Sequence, residues 1–499
     1  PWCSALLTRS FGVAAAVIAM LSGSPSLVAQ ARADRPPTPI IVVTPPGYTS
    51  STTSFPTLYL FNVAYPGCTD ATCAKLKPFL DYLRQRPLVS ILLVNGFLFG
   101  QYVNWRDGGQ KNESLLADSL IPWVDTHYRT VGDRAHRAVA GISAGGYGAM
   151  IVAARRPELF LAAATLSGVV DITRGGPPME SQEEALEVAP SPGSDPGPPL
   201  FSVFGNPYTD EVWWHDMNPT DLAANLRGTA VFQASGNGVP CDRGDVVPPN
   251  PAGSAIEAQV HDQNQQFDAA LTGAGVAHAY RQRPCGVHSY RYFFDDFRYW
   301  YQGVLRFGAR APRDFDYRSA DASMAAWDWR IQADPRRTPE FLSASAASDQ
   351  GVTLTGSGLT TVTTARLFPP GQPVTILDES SAVPAHADSE GRLHVGVSLG
   401  PPHTIQQYRL PEPVMEAAGG YFRTRTIQFV RQESPLTRDD ALGGLTPTDL
   451  LPNTGTWTGP DFRGLPWAAA ILVAVPWLRP RAGRTERPNG TCPGRSRFW

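Results

Sequence analysis

Ser143 lies in Ala138-Val139-Ala140-Gly141-Ile142-Ser143-Ala144-Gly145-Gly146-Tyr147-Gly148, where a short apolar strand passes through a glycine-flanked serine into a helical pattern. The G-x-S-x-G spacing suits a nucleophile: a strand-to-helix turn this tight strains the serine backbone, and side chains at the flanking positions would strike neighbouring backbone. Gly141 and Gly145 are expected to remove those clashes. The new helix aims its N-terminal N–H groups at the space where an oxyanion would form, which makes Ala144 N–H the natural first donor.

A serine hydroxyl is a poor nucleophile near neutral pH, so it needs an imidazole within hydrogen-bond reach and an acid to fix the tautomer. Of the nine histidines, His288 stands out, because it follows a strand end and a glycine in Pro284-Cys285-Gly286-Val287-His288-Ser289. The order Ser, acid, His leaves several acids open. Asp171 ends a strand near the elbow, Asp242 and Asp245 follow Gly236-Asn237-Gly238, and Glu257 opens a helix, where it could equally meet the helix dipole. Spacing does not choose among them, and the expected chemistry requires no metal or organic cofactor.

Strands are expected at Leu58–Phe61, Leu88–Val94, the elbow strand, Ala162–Val170, Thr229–Ala234 and Ala277–Gln282, with helices over Ala74–Leu83, around Leu115–Val124, after the elbow, and over Ala255–Leu271. Strand alternating with helix predicts an α/β domain with a mostly parallel sheet, over about residues 55–317, carrying an inserted surface loop near 174–200. From 318 to 432 the pattern changes to short apolar runs at regular spacing without helices, the mark of a smaller all-β sandwich. Those runs are Ala325–Ile331, Gly351–Thr355, Thr360–Leu367, Val374–Leu377, Leu393–Val397, Ile405–Leu410 and Phe422–Val430.

The ends read as addresses. Residues 1–33 carry a basic flank, an apolar run and a small-x-small step, as in an export signal, and 34–54 read as a proline-rich linker. Residues 433–499 hold Leu451-Pro452-Asn453-Thr454-Gly455, an apolar run from Leu465 to Leu478, then Arg479, Arg481 and Arg484. That order resembles a wall-sorting signal, which implies a secreted protein held at the cell wall or by a C-terminal transmembrane tail. A sortase-type transpeptidase would cut between Thr454 and Gly455 and join the chain to peptidoglycan. A formal net charge of −3 over 499 residues, without a basic block, gives no footprint for nucleic acid.

The elbow, Phe204-Gly205-Asn206-Pro207 with Trp213-Trp214, Gly236-Asn237-Gly238, Phe267-Asp268-Ala269-Ala270 and Gly286-Val287-His288-Ser289 occur in an order that resembles the esterase family of S-formylglutathione hydrolases, feruloyl esterases and secreted mycolyltransferases. The resemblance, over about residues 55–305, implies an α/β-hydrolase fold and a serine esterase or acyltransferase acting on acyl or aryl esters. Beside the mycolyltransferases, Glu257 falls where they carry their catalytic Glu, which tips the acid to Glu257 with Asp242 as the alternative. Where members carry His-Gly, or an Asp and an Arg, this chain has Phe61-Asn62-Val63-Ala64-Tyr65. The second oxyanion N–H is then Val63 or Ala64, and plain ester hydrolysis gains over trehalose mycolyl transfer.

Export favours disulfides among the six cysteines. Cys68 and Cys73 share a loop, and Cys241 and Cys285 flank the two catalytic loops; those pairings would stiffen the site from two sides. Phe97, Phe99, Tyr102, Trp105, Tyr147, Trp213, Trp214 and Tyr290 are expected near the top-face loops, half of them against substrate.

Overall fold

The structure, a computed structural model, describes residues 35–64, 75–94, 102–174, 201–246, 250–379, 381–409 and 421–432. All of them lie in one compact unit, Pro1–Pro435; the second, Leu436–Trp499, falls outside the described residues, as do the export signal, Cys68 and Cys73, and the sorting motif with Thr454 and Gly455.

The first layer system is a seven-stranded sheet in the order β1-β3-β2-β4-β5-β6-β7, with β1 Ile40–Val43, β2 Thr57–Ala64, β3 Val89–Val94, β4 Arg137–Ile142, β5 Ala162–Leu166, β6 Ala230–Ser235 and β7 His278–Gln282. All neighbours pair in parallel except β1, which runs antiparallel to β3. The range 34–54 therefore differs from a plain linker, since Ile40–Val43 closes one edge of the sheet. Four residues of Ile and Val among prolines are too short a run to separate from a lead-in by periodicity.

Helices cover both faces. α1 is Lys77–Leu83; α2 runs Asn112–Ser114, widens into a π-helical stretch at Leu115–Leu120 and continues as Ile121–His127. Pro122, which has no N–H to return to the preceding turn, accounts for that widening. The others are α3 Ala144–Arg155, α4 Glu211–Asp216, α5 Arg243–Val246, α6 Pro251–Gly273 and α7 Tyr290–Tyr299. Alternate strand residues feed two cores: Tyr59, Phe61 and Val139 pack with Leu120, Met150 and Phe267 on one face, while Leu58, Leu60 and Ala140 pack with Phe79, Phe297 and Trp300 on the other. Burial on both faces is why these strands read as continuous apolar runs.

The second region is a sandwich of two antiparallel sheets. One has the order β16-β13-β10-β9, and the other β15-β14-β17-β12-β11-β8. The strands are β8 Phe315–Ser319, β9 Ser323–Ala326, β10 Trp329–Gln332, β11 Leu342–Ser348, β12 Gly351–Gly356, β13 Leu359–Thr363, β14 Pro373–Asp378, β15 Ser381–His386, β16 His394–Ser398 and β17 Arg423–Arg431. Ile331, Val362 and Val395 of one sheet share a core with Leu354, Ile376 and Phe429 of the other.

Two expectations change here. Ala325–Ile331 is not one strand: Trp327 and Asp328, both at positive φ (53° and 66°), form the two-residue turn of a hairpin between β9 and β10. Without glycine or asparagine the turn left no mark in the sequence. Of Ile405–Leu410, expected as a strand, the described residues 405–409 instead hold a 3-10 turn at Gln407–Arg409, and Leu410 lies outside the described residues.

Candidate active site

β4 lies mid-sheet between β2 and β5, so its carboxyl end opens where ligands of parallel sheets are bound. Ser143 sits there with φ 54° and ψ −122°, a conformation costly for a residue with a side chain. A Cβ on Gly141 would stand 1.8 Å from the Gly145 carbonyl oxygen, so the flanking glycine is a steric requirement. Gly146 is equally confined: its Cβ would come within 2.5 Å of Thr165 Oγ1 and 2.7 Å of Gly168 Cα, which lets α3 lie directly against β5. Ala144 opens α3. Phe61 is registered with Gly141, so Val63 and Ala64, at the end of β2, continue alongside the elbow.

Glu257 and His288 meet. His288 Nδ1 lies 2.8 Å from Glu257 Oε2. The other carboxylate oxygen, Oε1, accepts from Ser167 Oγ at 2.7 Å and from the Gly236 backbone N–H at 2.6 Å. Glu257 is fully buried. Its place follows from α6, which begins at Pro251 behind Asn250, whose side chain accepts from Gly253 N–H. The first turn of α6 also receives the His288 backbone N–H on the Gly253 carbonyl at 2.9 Å. Phe293 meets the imidazole edge-on at 4.8 Å.

The other acids are engaged elsewhere. Asp242, the alternative, is exposed and takes the forked guanidinium of Arg291 at 3.0 and 2.6 Å, which holds its carboxyl below the usual range. Asp245 is buried and accepts from Tyr292 OH and the Cys241 N–H. Asp171 accepts from Thr173 and Asn218, and burial raises its pKa.

Cys241 and Cys285 form a disulfide, with Cα atoms 5.2 Å apart. Beside it the Gly238 N–H donates to Gly286 O and the Gly286 N–H to Val239 O, so the loops after β6 and β7 are laced together just before His288. Among the aromatics, Tyr102, Tyr147 and Trp214 are buried core residues rather than pocket walls, and Trp105, Trp213 and Tyr290 are half-buried. Phe97 and Phe99 lie outside the described residues.

The sequence pattern did not single out Ser167, and it marked Gly236 only as part of Gly236-Asn237-Gly238, not as a donor to the acid. The signal was positional: each follows a parallel strand next to or near the elbow strand, at the sheet edge where sites form. Ser167 also has a positive φ of 48°, which turns the chain sharply at the end of β5.

A mostly parallel sheet with helices on both faces, and a strained serine at the carboxyl end of its central strand, defines an α/β-hydrolase. Residues 35–299, just over half of the 499, match the family described as "Putative esterase", and the chain belongs to that family. An esterase of Mycobacterium tuberculosis is 28% identical over 260 residues, covering 50% of this chain and 52% of the relative. A diacylglycerol acyltransferase/mycolyltransferase of Mycobacterium leprae is 30% identical over 186 residues, covering 37% and 53%. The chain thus spans about half the length of the curated relatives it matches. The solved structure of MPT51 from Mycobacterium tuberculosis aligns over 53% of this chain and 91% of that one, at 17% identity and a TM-score of 0.41.

Proposed function

We propose that this chain is a secreted serine esterase that cleaves carboxylic esters through an acyl-enzyme on Ser143. The observation that carries the reading is the buried Glu257 carboxylate, with one oxygen fixed by Ser167 and Gly236 and the other 2.8 Å from His288 Nδ1. A carboxylate so fixed keeps the proton on Nδ1, which leaves Nε2 as the base.

In the proposed reaction Ser143 Oγ attacks the ester carbonyl as its proton passes to His288 Nε2. The oxyanion is received by the N–H of Ala144 and by that of Val63 or Ala64. Collapse expels the alcohol, which takes the proton from His288, and leaves the acyl group on Ser143. Water then enters by the same route, with His288 again as base, and releases the acid.

The acyltransferase named among the relatives supports a second reading, in which a sugar or lipid hydroxyl replaces water in the last step. The two readings share the acyl-enzyme, so acceptor partitioning separates them. A panel of p-nitrophenyl and feruloyl esters of increasing chain length, with and without added trehalose or glycerol, tests both. Free acid as the sole product supports the esterase; acylated acceptor in proportion to acceptor concentration supports the transferase. Release from the cell and attachment at the wall belong to the proposal as well, and rest on the order of the end segments in the sequence. Mass spectrometry of wall-released protein should find a C-terminus at Thr454 carrying a peptidoglycan fragment. Intact chains in the membrane fraction would oppose attachment.

A further inference from the structure

Among the contacts between the β-sandwich and the hydrolase region, one set converges on residues 208–221, which hold α4 and the turns before and after it. The end of β8 and the residues after it grip Asp216. This carboxylate accepts the Ala320 N–H at 2.8 Å and Ser319 Oγ at 3.3 Å while pairing with Arg155 at 2.8 Å. The connection between β16 and β17 also contacts α4 and the residues before it. Gln406 bridges it through its side-chain amide, accepting from Val212 N–H at 3.4 Å and donating to Thr209 O at 3.1 Å, and Arg409 donates to Tyr208 O. Tyr408 lies flat on the His215 ring, 3.7 Å between centroids and 4° from parallel, and packs into the hydrolase core with Phe341.

The same element also bonds to residues that neighbour the proposed nucleophile and the support of its acid. The Met217 carbonyl accepts from Tyr147 OH at 3.0 Å, and Tyr147 is one helical turn beyond Ser143. His215 pairs with Asp221 at 2.8 Å, and Asn218 donates to Asp221 at 2.7 Å and to Asp171 at 2.9 Å while accepting from Ile172 N–H at 3.0 Å. Thr220 holds the Val170 carbonyl through both its N–H and its hydroxyl. Those bonds fix residues 170–172, just beyond Ser167, whose hydroxyl holds Glu257.

We infer that the β-sandwich is a positioning domain for the hydrolase, and that Tyr408 is its principal positioning residue, acting through His215 and Asn218 on the loop that presents Ser167 to Glu257. The arrangement is more specific than cover for an apolar surface. Gln406 and Arg409 satisfy backbone groups of the segment one by one, and the His215–Asp221–Asn218–Asp171 bonds continue unbroken from Tyr408 to the loop after β5. An element bonded both to the sandwich and to residues 170–172 links the two regions through a short chain of contacts that ends beside Ser167.

This inference rests on the esterase reading for its kinetic arm, so the test carries a second readout that needs no turnover. In the full-length chain, Tyr408→Ala should lower kcat for p-nitrophenyl acetate by about 2- to 30-fold, the range of couplings carried through packed networks. KM should change little, the measurement being made well below the melting transition, and Tyr408→Phe should restore the rate. Gln406→Ala, a smaller lesion, should act in the same direction if Tyr408→Ala folds poorly. The low-field proton resonance of His288 Nδ1–H reads the position of Glu257 directly, and should shift or broaden in Tyr408→Ala and return in Tyr408→Phe. The effects of Tyr408→Ala and Ser167→Ala on kcat should be less than multiplicative in the double variant, because both act through one carboxylate. An unchanged His288 resonance in folded Tyr408→Ala overturns the inference, as does a lowered melting temperature with unchanged kcat, or strictly multiplicative effects. A wild-type chain that turns over no ester refutes the esterase reading alone, and the resonance still decides the role of Tyr408.

Discussion

Replacing Glu257 by Gln changes one atom, and the structure fixes where that atom goes. The Gly236 backbone N–H, 2.6 Å from Oε1, can only donate, so the amide oxygen of Gln must stay on that side. The amide NH2 then faces His288 Nδ1 at the 2.8 Å now held by Oε2. Two donors oppose each other, and the imidazole escapes by moving its proton to Nε2, the nitrogen that accepts from Ser143 in the proposed reaction. Turning the amide over restores the tautomer but sets NH2 against the Gly236 N–H, leaving buried groups unpaired at a cost of about 1–3 kcal/mol. The unproductive tautomer therefore dominates, and kcat should fall by about 10⁴, roughly 5 kcal/mol in the barrier, as when a triad acid is replaced by its amide. KM should hardly move, because the lost interaction serves the chemical step. Initial rates with p-nitrophenyl butyrate between pH 6 and pH 9, with circular dichroism to confirm folding, measure this. Asp242→Asn, whose carboxylate sits on Arg291 in solvent, should keep most of its activity. A Glu257→Gln enzyme with more than a tenth of wild-type kcat would refute the reasoning, and so would an Asp242→Asn enzyme that falls as far.

Ser167→Ala removes one of the two donors to Glu257 Oε1 and leaves the Gly236 N–H; kcat should drop by about tenfold or more, and the melting temperature should fall by a few degrees in calorimetry, since a hydrogen bond to a buried charge is worth about 1.5–3 kcal/mol. Non-reducing peptide mapping should join Cys241 to Cys285, and Cys241→Ser should lower stability by about 4 kcal/mol on loop entropy for a closed loop of 44 residues, read by urea denaturation. Burial, opposed by Arg283, raises Asp296 to about 6. A carboxyl raised above its unfolded value contributes stability that is complete below about pH 4 and lost as pH rises through about 6. Asp296→Asn should remove that component from the pH dependence of the melting temperature.

Legibility followed burial and local geometry. The hydrolase strands were readable because parallel strands buried on both faces are runs of Val, Leu, Ile and Ala, and Ser143 because only glycine fits where Gly141 meets the Gly145 carbonyl. His288 was readable from its place after a strand end. Glu257 was not singled out by its own surroundings in the chain: a glutamate near a helix start has a dipole to meet, and only the fold brings it between Ser167, Gly236 and His288. In the sandwich, β11 escaped notice because Leu342-Ser343-Ala344-Ser345-Ala346-Ala347-Ser348 carries little apolar bulk. β15 escaped because it is an exposed edge strand containing Pro384, whose missing N–H is harmless only at an edge. The docking of Gln406 and Tyr408 on α4 joins residues nearly two hundred positions apart, and no local pattern reports such a contact.

Covalent capture at Ser143 tests the central claim most directly. Protein mixed with p-nitrophenyl butyrate, quenched in acid within milliseconds to seconds and digested, should yield an acylated peptide spanning Ala138 to Arg155, with the acyl group on Ser143. The adduct should be absent in Ser143→Ala and should accumulate in variants that slow deacylation. Undiminished ester turnover in Ser143→Ala, or an acyl group recovered on a different residue, would contradict the account.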